Sequence, residues 1–195
     1  MYGITDRPSP AEREPWTPSP EPSTFHVGVN FALAVLSAAA LAVQQALGAG
    51  GDGADAAVLD MKNKEVIGYE VSRNIDSELC KRALSNALAL RGKHEGLIFH
   101  SDRGSQYSSR AYKRMLQENG IEGSMSAPGC PYDNSCVESF FATLKKELIF
   151  RRKYATIEEV KTDLYRYIEL FYNRKRLHST LGYMSPVAYR LAFMQ

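Results

Sequence analysis

Two stretches decide how this chain folds: His100-Ser101-Asp102-Arg103-Gly104-Ser105-Gln106-Tyr107 and Asp133-Asn134-Ser135-Cys136-Val137-Glu138-Ser139-Phe140-Phe141, the second running on to Lys145. Leu97, Ile98 and Phe99 lead straight into Asp102, as a buried strand does when it ends in a loop. Past the second stretch, Val137, Phe140, Phe141, Leu144 and Leu148 recur at helical spacing and form one apolar stripe. Asn134 or Ser135 can cap that helix, because a short polar side chain accepts from the free N–H groups of the first turn. Glu138 lies at the edge of the stripe. Lys145 follows on the same flank, roughly 10.5 Å along the axis. Periodicity alone makes Glu138 a solvated surface acid and Asp102 a satisfied strand-end aspartate.

Working outward, the pattern is strand, strand, helix, strand, helix, strand, helix, an α/β layer order. Ala56–Asp60 and Glu65–Ser72 read as strands joined by a turn at 61–64. Asp76 or Ser77 starts a helix that buries Leu79, Ala83, Leu84, Ala87 and Leu88 and stops at Gly92. A helix over Ser109–Glu118 and an edge strand over Ile121–Ser126 follow. Thr156-Ile157-Glu158-Glu159 is a capping box. It opens a second apolar stripe through Ile157, Val160, Leu164, Ile168 and Phe171. Ser185-Pro186 starts a last short helix.

Asp102 and Glu138 with 35 residues between them, the HSDRGSQY run, the YDN-S-C-VESFF run and Lys145 resemble the catalytic core of bacterial insertion-sequence transposases. Phe171-Tyr172-Asn173-Arg174-Lys175-Arg176-Leu177-His178, Leu181-Gly182-Tyr183 and Ser185-Pro186 match the same family. It belongs to the retroviral-integrase superfamily. The resemblance runs from about Ala57 to Tyr189 and implies an α/β, RNase H-like mixed sheet flanked by helices. It also implies two divalent metals, Mg²⁺ or Mn²⁺, held by three carboxylates for in-line displacement at phosphorus. Asp102 would be the second acid and Glu138 the third, both as metal ligands. Lys145 would anchor DNA near the scissile phosphate, and Arg103, Gln106 and Tyr107 would line the same cleft. Arg174, Lys175, Arg176 and His178 would hold DNA phosphates. The implied partners are insertion-element ends and target DNA, in a homo-oligomer or with a full-length transposase.

The first acid departs from this pattern. The position 18 residues before Asp60 is Ala42, within Leu41-Ala42-Val43-Gln44-Gln45, and no tryptophan–acid–threonine motif surrounds it. Asp52 or Asp55 is the alternative first acid, offered from a glycine joint. The first strand of the fold is central, so its absence would leave two neighbours with unpaired backbone. Val29–Leu36 alternates Val29, Phe31, Leu33 and Val35 with Asn30, Ala32 and Ala34, and can supply a substitute strand.

Composition sets the remaining expectations. Net charge is +2, but residues 1–60 hold two basic and seven acidic side chains, against 22 and 15 in residues 61–195. A basic second half suits a polyanion. Three cysteines, with no CxxC pair, fit a reducing cytoplasm and argue against zinc. Residues 1–26 are Pro-rich and expected to be disordered. Residues 27–55 form an apolar, Ala-rich segment and a Gly joint, and residues 56–195 form the core-like domain with basic C-terminal helices. Residues 22–51 contain no Asp, Glu, Lys or Arg. Positions 27–47 approach the length of a membrane span, yet no basic flank orients them, and a soluble buried helix is the expectation. Three functions follow. The first is a truncated or degenerate copy that binds DNA without full catalysis. The second is an active transposase using Asp52 or Asp55. The third is a membrane-tethered interaction protein.

Overall fold

Five strands form one mixed sheet in a computed structural model that describes residues 32–36 (as backbone), 54–74, 76–93, 96–125 and 135–194. They are β1 (Ala32–Leu36), β2 (Ala54–Asp60), β3 (Val66–Ser72), β4 (Ile98–Ser101) and β5 (Glu122–Met125). Their order is β3-β2-β1-β4-β5. β1 pairs antiparallel with β2, Leu36 opposite Ala57, and parallel with β4, Val35 opposite Ser101. The substitute strand proposed from Val29–Leu36 is therefore central over 32–36; positions 29–31 lie outside the described residues. The helix expected for 27–47 is corrected where the segment is described. Alanine favours helix, but two neighbouring strands supply backbone partners, and such tertiary context overrides a weak propensity.

Helices cover both faces, which is why every residue of β2 is buried. One face carries α1 (Ser77–Arg91), α2 (Ser105–Ser108) and α3 (Arg110–Glu118). Leu79, Ala83 and Leu84 of α1 pack there with Ala56, Val58, Phe99 and Tyr112. Asp76 caps α1 by accepting from Leu79 N at 2.8 Å, and Gly92 ends it at φ 79°. The other face carries α4 (Ser135–Glu147) and α5 (Ile157–Tyr165). Val137, Phe140, Phe141 and Leu144 of α4 are buried against Ala57, Leu59 and Val71. Asn134 lies outside the described residues, so its capping role is undescribed.

Gly68 of β3 is where sheet and α1 meet most closely. A Cβ there would lie 2.3 Å from Ala83 O and 2.6 Å from Ala87 N. Both are backbone atoms that cannot swing aside. Gly68→Ala should cost about 1–3 kcal/mol, the usual range for overpacking, read as a lowered urea midpoint.

Thr156 caps α5, accepting from Glu159 N at 3.3 Å, while Glu159 Oε2 accepts from Ala155 N at 3.1 Å. The stripe then holds through Ile157, Val160, Leu164 and Ile168, all buried, but Phe171 is 42 % exposed. The cause is a π-helical stretch, Arg166–Tyr172, which continues α5. Its wider turn shifts the inward face by one position, so Tyr172 takes the buried place that Phe171 would hold in an α-helix.

Asn173 follows. Its Oδ1 accepts from Val66 N at 3.0 Å and its Nδ2 donates to Val66 O at 2.9 Å. Asn173 O also accepts from Val187 N at 2.9 Å, on α6 (Pro186–Phe193). Glu65, just before β3, is buried and ion-paired to Arg91 of α1 and to Arg190 of α6. Ser185 caps α6, accepting from Ala188 N at 3.3 Å. Among the described residues, no helix is long and apolar enough to cross a membrane.

Candidate functional site

Asp102 is the first residue beyond β4 and is half-buried. Its Oδ1 accepts from Gly104 N at 2.8 Å, an Asx-type turn that holds the carboxylate at the sheet's end. Gly104 in turn starts α2. Arg103 is exposed and Gln106 half-buried in this loop. Tyr107 is not a cleft residue: it is 1 % exposed, edge-on to Tyr112 with ring centroids 5.5 Å apart. The polar run around it conceals an apolar anchor that ties the loop to α1 and α3. Burial, then the adjacent Cys80 thiol, raises its phenol above the ordinary range.

Glu138 occupies the first turn of α4 and is exposed, beside the buried stripe. An acid there is favoured by the helix dipole. α4 packs on β1. Lys145, two turns on and half-buried, comes close enough to Asp55 to act on its charge. Cys136 is half-buried and packs at the edge of the α4 core.

Asp55 does not lie in the glycine joint. It is in β2 opposite Val71, 4 % exposed, in a small apolar pocket with Phe140, Leu144 and Ile168. Its Oδ1 has no hydrogen-bond partner. Burial pushes its carboxyl up to about 7, with Lys145 offsetting part of the rise. Asp52 lies outside the described residues.

Register shows what these acids can share. β1 runs toward the end of the sheet that carries both Asp102 and Asp55. Asp102 is one strand away from β1 on one side, and Asp55 one strand away on the other. The strands that carry the two acids are therefore two spacings apart, roughly 10 Å. An acid on β1 would stand between them, but β1 reads Ala-Leu-Ala-Val-Leu. Among the described residues, no group of three or more His, Cys, Asp or Glu side chains could hold a metal ion. A pair of Mg²⁺ ions needs several oxygen ligands converging at about 2.1 Å. The described donors do not fit the three-carboxylate cage.

The basic residues divide by their contacts. Arg174 and Lys175 are exposed just past the π-helical stretch. Arg176 is committed to Glu147, with Nε and Nη2 donating to Oε1 at 3.1 and 3.0 Å. Burial opposes ionisation of Glu147, but the Arg176 and Tyr167 hydrogen bonds outweigh it and hold the carboxyl below its ordinary value. His178 stands edge-on to Tyr172, 5.1 Å between ring centroids. Burial, then the Arg176 charge, lowers its pKa, so the ring is neutral at pH 7. Between α4 and α5, Arg152 pairs with Asp163 at 2.7 Å, Arg151 Nε donates to Lys146 O at 2.8 Å, and Lys153 is exposed.

Comparison with known proteins agrees with this architecture. Two family models, both described as "Integrase core domain", match residues 51–131 and 119–186. A transposase for insertion sequence element IS904 of Lactococcus lactis is 39 % identical over 128 residues, 66 % of this chain and 51 % of that protein. Transposase InsF for insertion sequence IS3A of Escherichia coli is 43 % identical over 131 residues, 67 % of this chain and 46 % of that protein. The chain thus spans about half the length of these relatives. Among solved structures, the BIV integrase catalytic core domain aligns with a TM-score of 0.57 at 16 % identity, covering 84 % of this chain and 95 % of that one. The HTLV-2 integrase catalytic core domain in complex with magnesium gives 0.57 at 12 %, covering 82 % and 95 %. At such identities the likeness is one of fold.

Proposed function

The chain belongs to the integrase core domain family, and from that premise we propose that it is a DNA-holding transposase core without the full carboxylate set for phosphoryl transfer. One observation carries this reading. The central strand, which would bear the first acid, is supplied by Ala32–Leu36 and has no carboxylate. The family's chemistry depends on metal-held oxygens at phosphorus. What remains are the groups that position DNA. Arg174, Lys175 and Lys153 neutralise phosphates, and Lys145 and Arg103 lie beside the Asp102 end of the sheet. Binding runs largely through the backbone of the duplex and pairs the chain with a second copy or a full-length transposase.

Duplex binding should weaken steeply with salt. Replacing both Arg174 and Lys175 by Ala should reduce the log–log salt slope by about 1.8, since each phosphate contact contributes about 0.9. Mobility shifts between low and moderate salt measure this. An unchanged slope removes these side chains from the interface.

A second reading is favoured by one feature. Asp55 is buried at the Asp102 end of the sheet and feels Lys145. If Asp55 stands in for the first acid, Mg²⁺ or Mn²⁺ supports strand cleavage and transfer, and Asp55→Asn and Glu138→Gln each abolish it. The DNA-holding reading expects no product from the parent chain under either metal. Product that vanishes in both variants overturns it.

A further inference from the structure

A groove of about 550 Å³, whose lining does not include Asp102, lies between α4 and the 176–183 loop. One wall is the hydroxyl flank of α4: Ser135, Ser139 and Thr143, spaced by four and so one above another. The opposite wall includes His178, Ser179, Thr180 and Tyr183. Lys64 brings positive charge, Arg176 lines the groove with its guanidinium paired to Glu147, and no Asp or Glu lines the groove. Tyr183 is 72 % exposed, at φ 60°. That backbone, fixed by Tyr183 N donating to His178 O at 2.9 Å, presents an aromatic face to solvent. His178 Nε2 is buried and has no hydrogen-bond partner.

Each feature alone is ordinary, but together they select one chemistry. A stacking surface, a ring nitrogen in need of a partner, a wall of hydroxyls and a flanking lysine suit a base, its sugar and its phosphate. Duplex DNA keeps its bases stacked and paired, so a groove of this depth reaches only a strand that has left the helix. We propose that the groove between α4 and the 176–183 loop receives an unpaired nucleotide of the bound DNA strand. This deepens the DNA-holding reading and rests on it. Tyr183 stacks on the base, Ser139 and Thr143 meet the sugar and phosphate, and Lys64 lies at the phosphate end.

The test compares a blunt duplex with the same duplex bearing a four-nucleotide single-stranded tail, bound to the full chain. The tailed duplex should bind roughly ten-fold more tightly, within the range measured for one base stacked on an aromatic side chain. Tyr183→Ala should remove that preference and leave blunt-duplex affinity unchanged. Ser139→Trp, on the exposed wall, should plug the groove with the same result. Retained blunt-duplex binding reports that both variants are folded. Equal affinity for the two duplexes in the parent chain overturns the nucleotide site and leaves the DNA-holding reading intact. A preference that survives both variants also overturns the site. Failure to bind either duplex overturns both.

Discussion

Asn173→Ala should lower the stability of this chain by about 2–5 kcal/mol. The asparagine amide copies a strand partner: it donates to Val66 O and accepts from Val66 N at the start of β3. Both Val66 and Asn173 are buried. Truncation leaves a backbone donor and a backbone acceptor unpaired where water cannot replace the amide, at about 1–3 kcal/mol each. Asn173→Asp keeps the shape but sets a carboxylate oxygen against Val66 O in a buried site, and should cost at least as much. Urea unfolding gives the difference directly, and amide exchange at Val66 should quicken in both variants. A loss under about 1 kcal/mol would mean that the clip between β3 and the π-helical stretch is dispensable.

The second large effect depends on pH. Asp55 is raised from 3.8 to about 7 by burial. Below the unfolded value both states carry the proton, and its contribution is fully present. Between that value and about 7 the folded state holds more protons than the unfolded state, so stability falls as pH rises, and the contribution is lost once pH passes the folded pKa. The full drop is on the order of 4 kcal/mol as an upper bound, since each tenfold change in proton affinity is worth about 1.4 kcal/mol. Asp55→Asn has no proton to lose. Relative to the parent, it should gain stability steadily between pH 4 and 7.5 and hold that gain above. The comparison cancels every other titrating group. A difference that stays flat with pH would show that Asp55 ionises freely, as a solvated residue does.

Much of this architecture is readable from local signals because capping and termination depend on residues a few positions apart. Asp76, Thr156 and Ser185 each cap the helix that follows, and Gly92 ends α1. The two-residue alternation around Leu33 points to a strand, and the sheet uses one there at its centre. Three features are not readable, and each depends on something distant. The π-helical turn leaves no trace in composition, so a regular helical period places Phe171 inward when the backbone turns it out. Tyr107 sits in a polar run, and only its neighbours Cys80 and Tyr112 reveal it as core. Asn173 lies within a basic run that suggests phosphate contact, yet its partner is 107 residues away in the chain. Asp102 and Glu138 are legible as types and positions. The fate of the first acid needs the register, because only pairing shows which segment occupies the middle of the sheet.

Ala32–Leu36 illustrates a difference between what architecture and chemistry demand of one position. A sheet requires of its middle member only main-chain amides in step with both neighbours, and almost any extended apolar pentapeptide meets that demand. Reactivity requires one particular oxygen at one particular place. A lineage can therefore exchange the piece and keep its outline while the reactive atom goes missing. Likeness of outline establishes a shared fold, and each claim to turnover has to be established atom by atom.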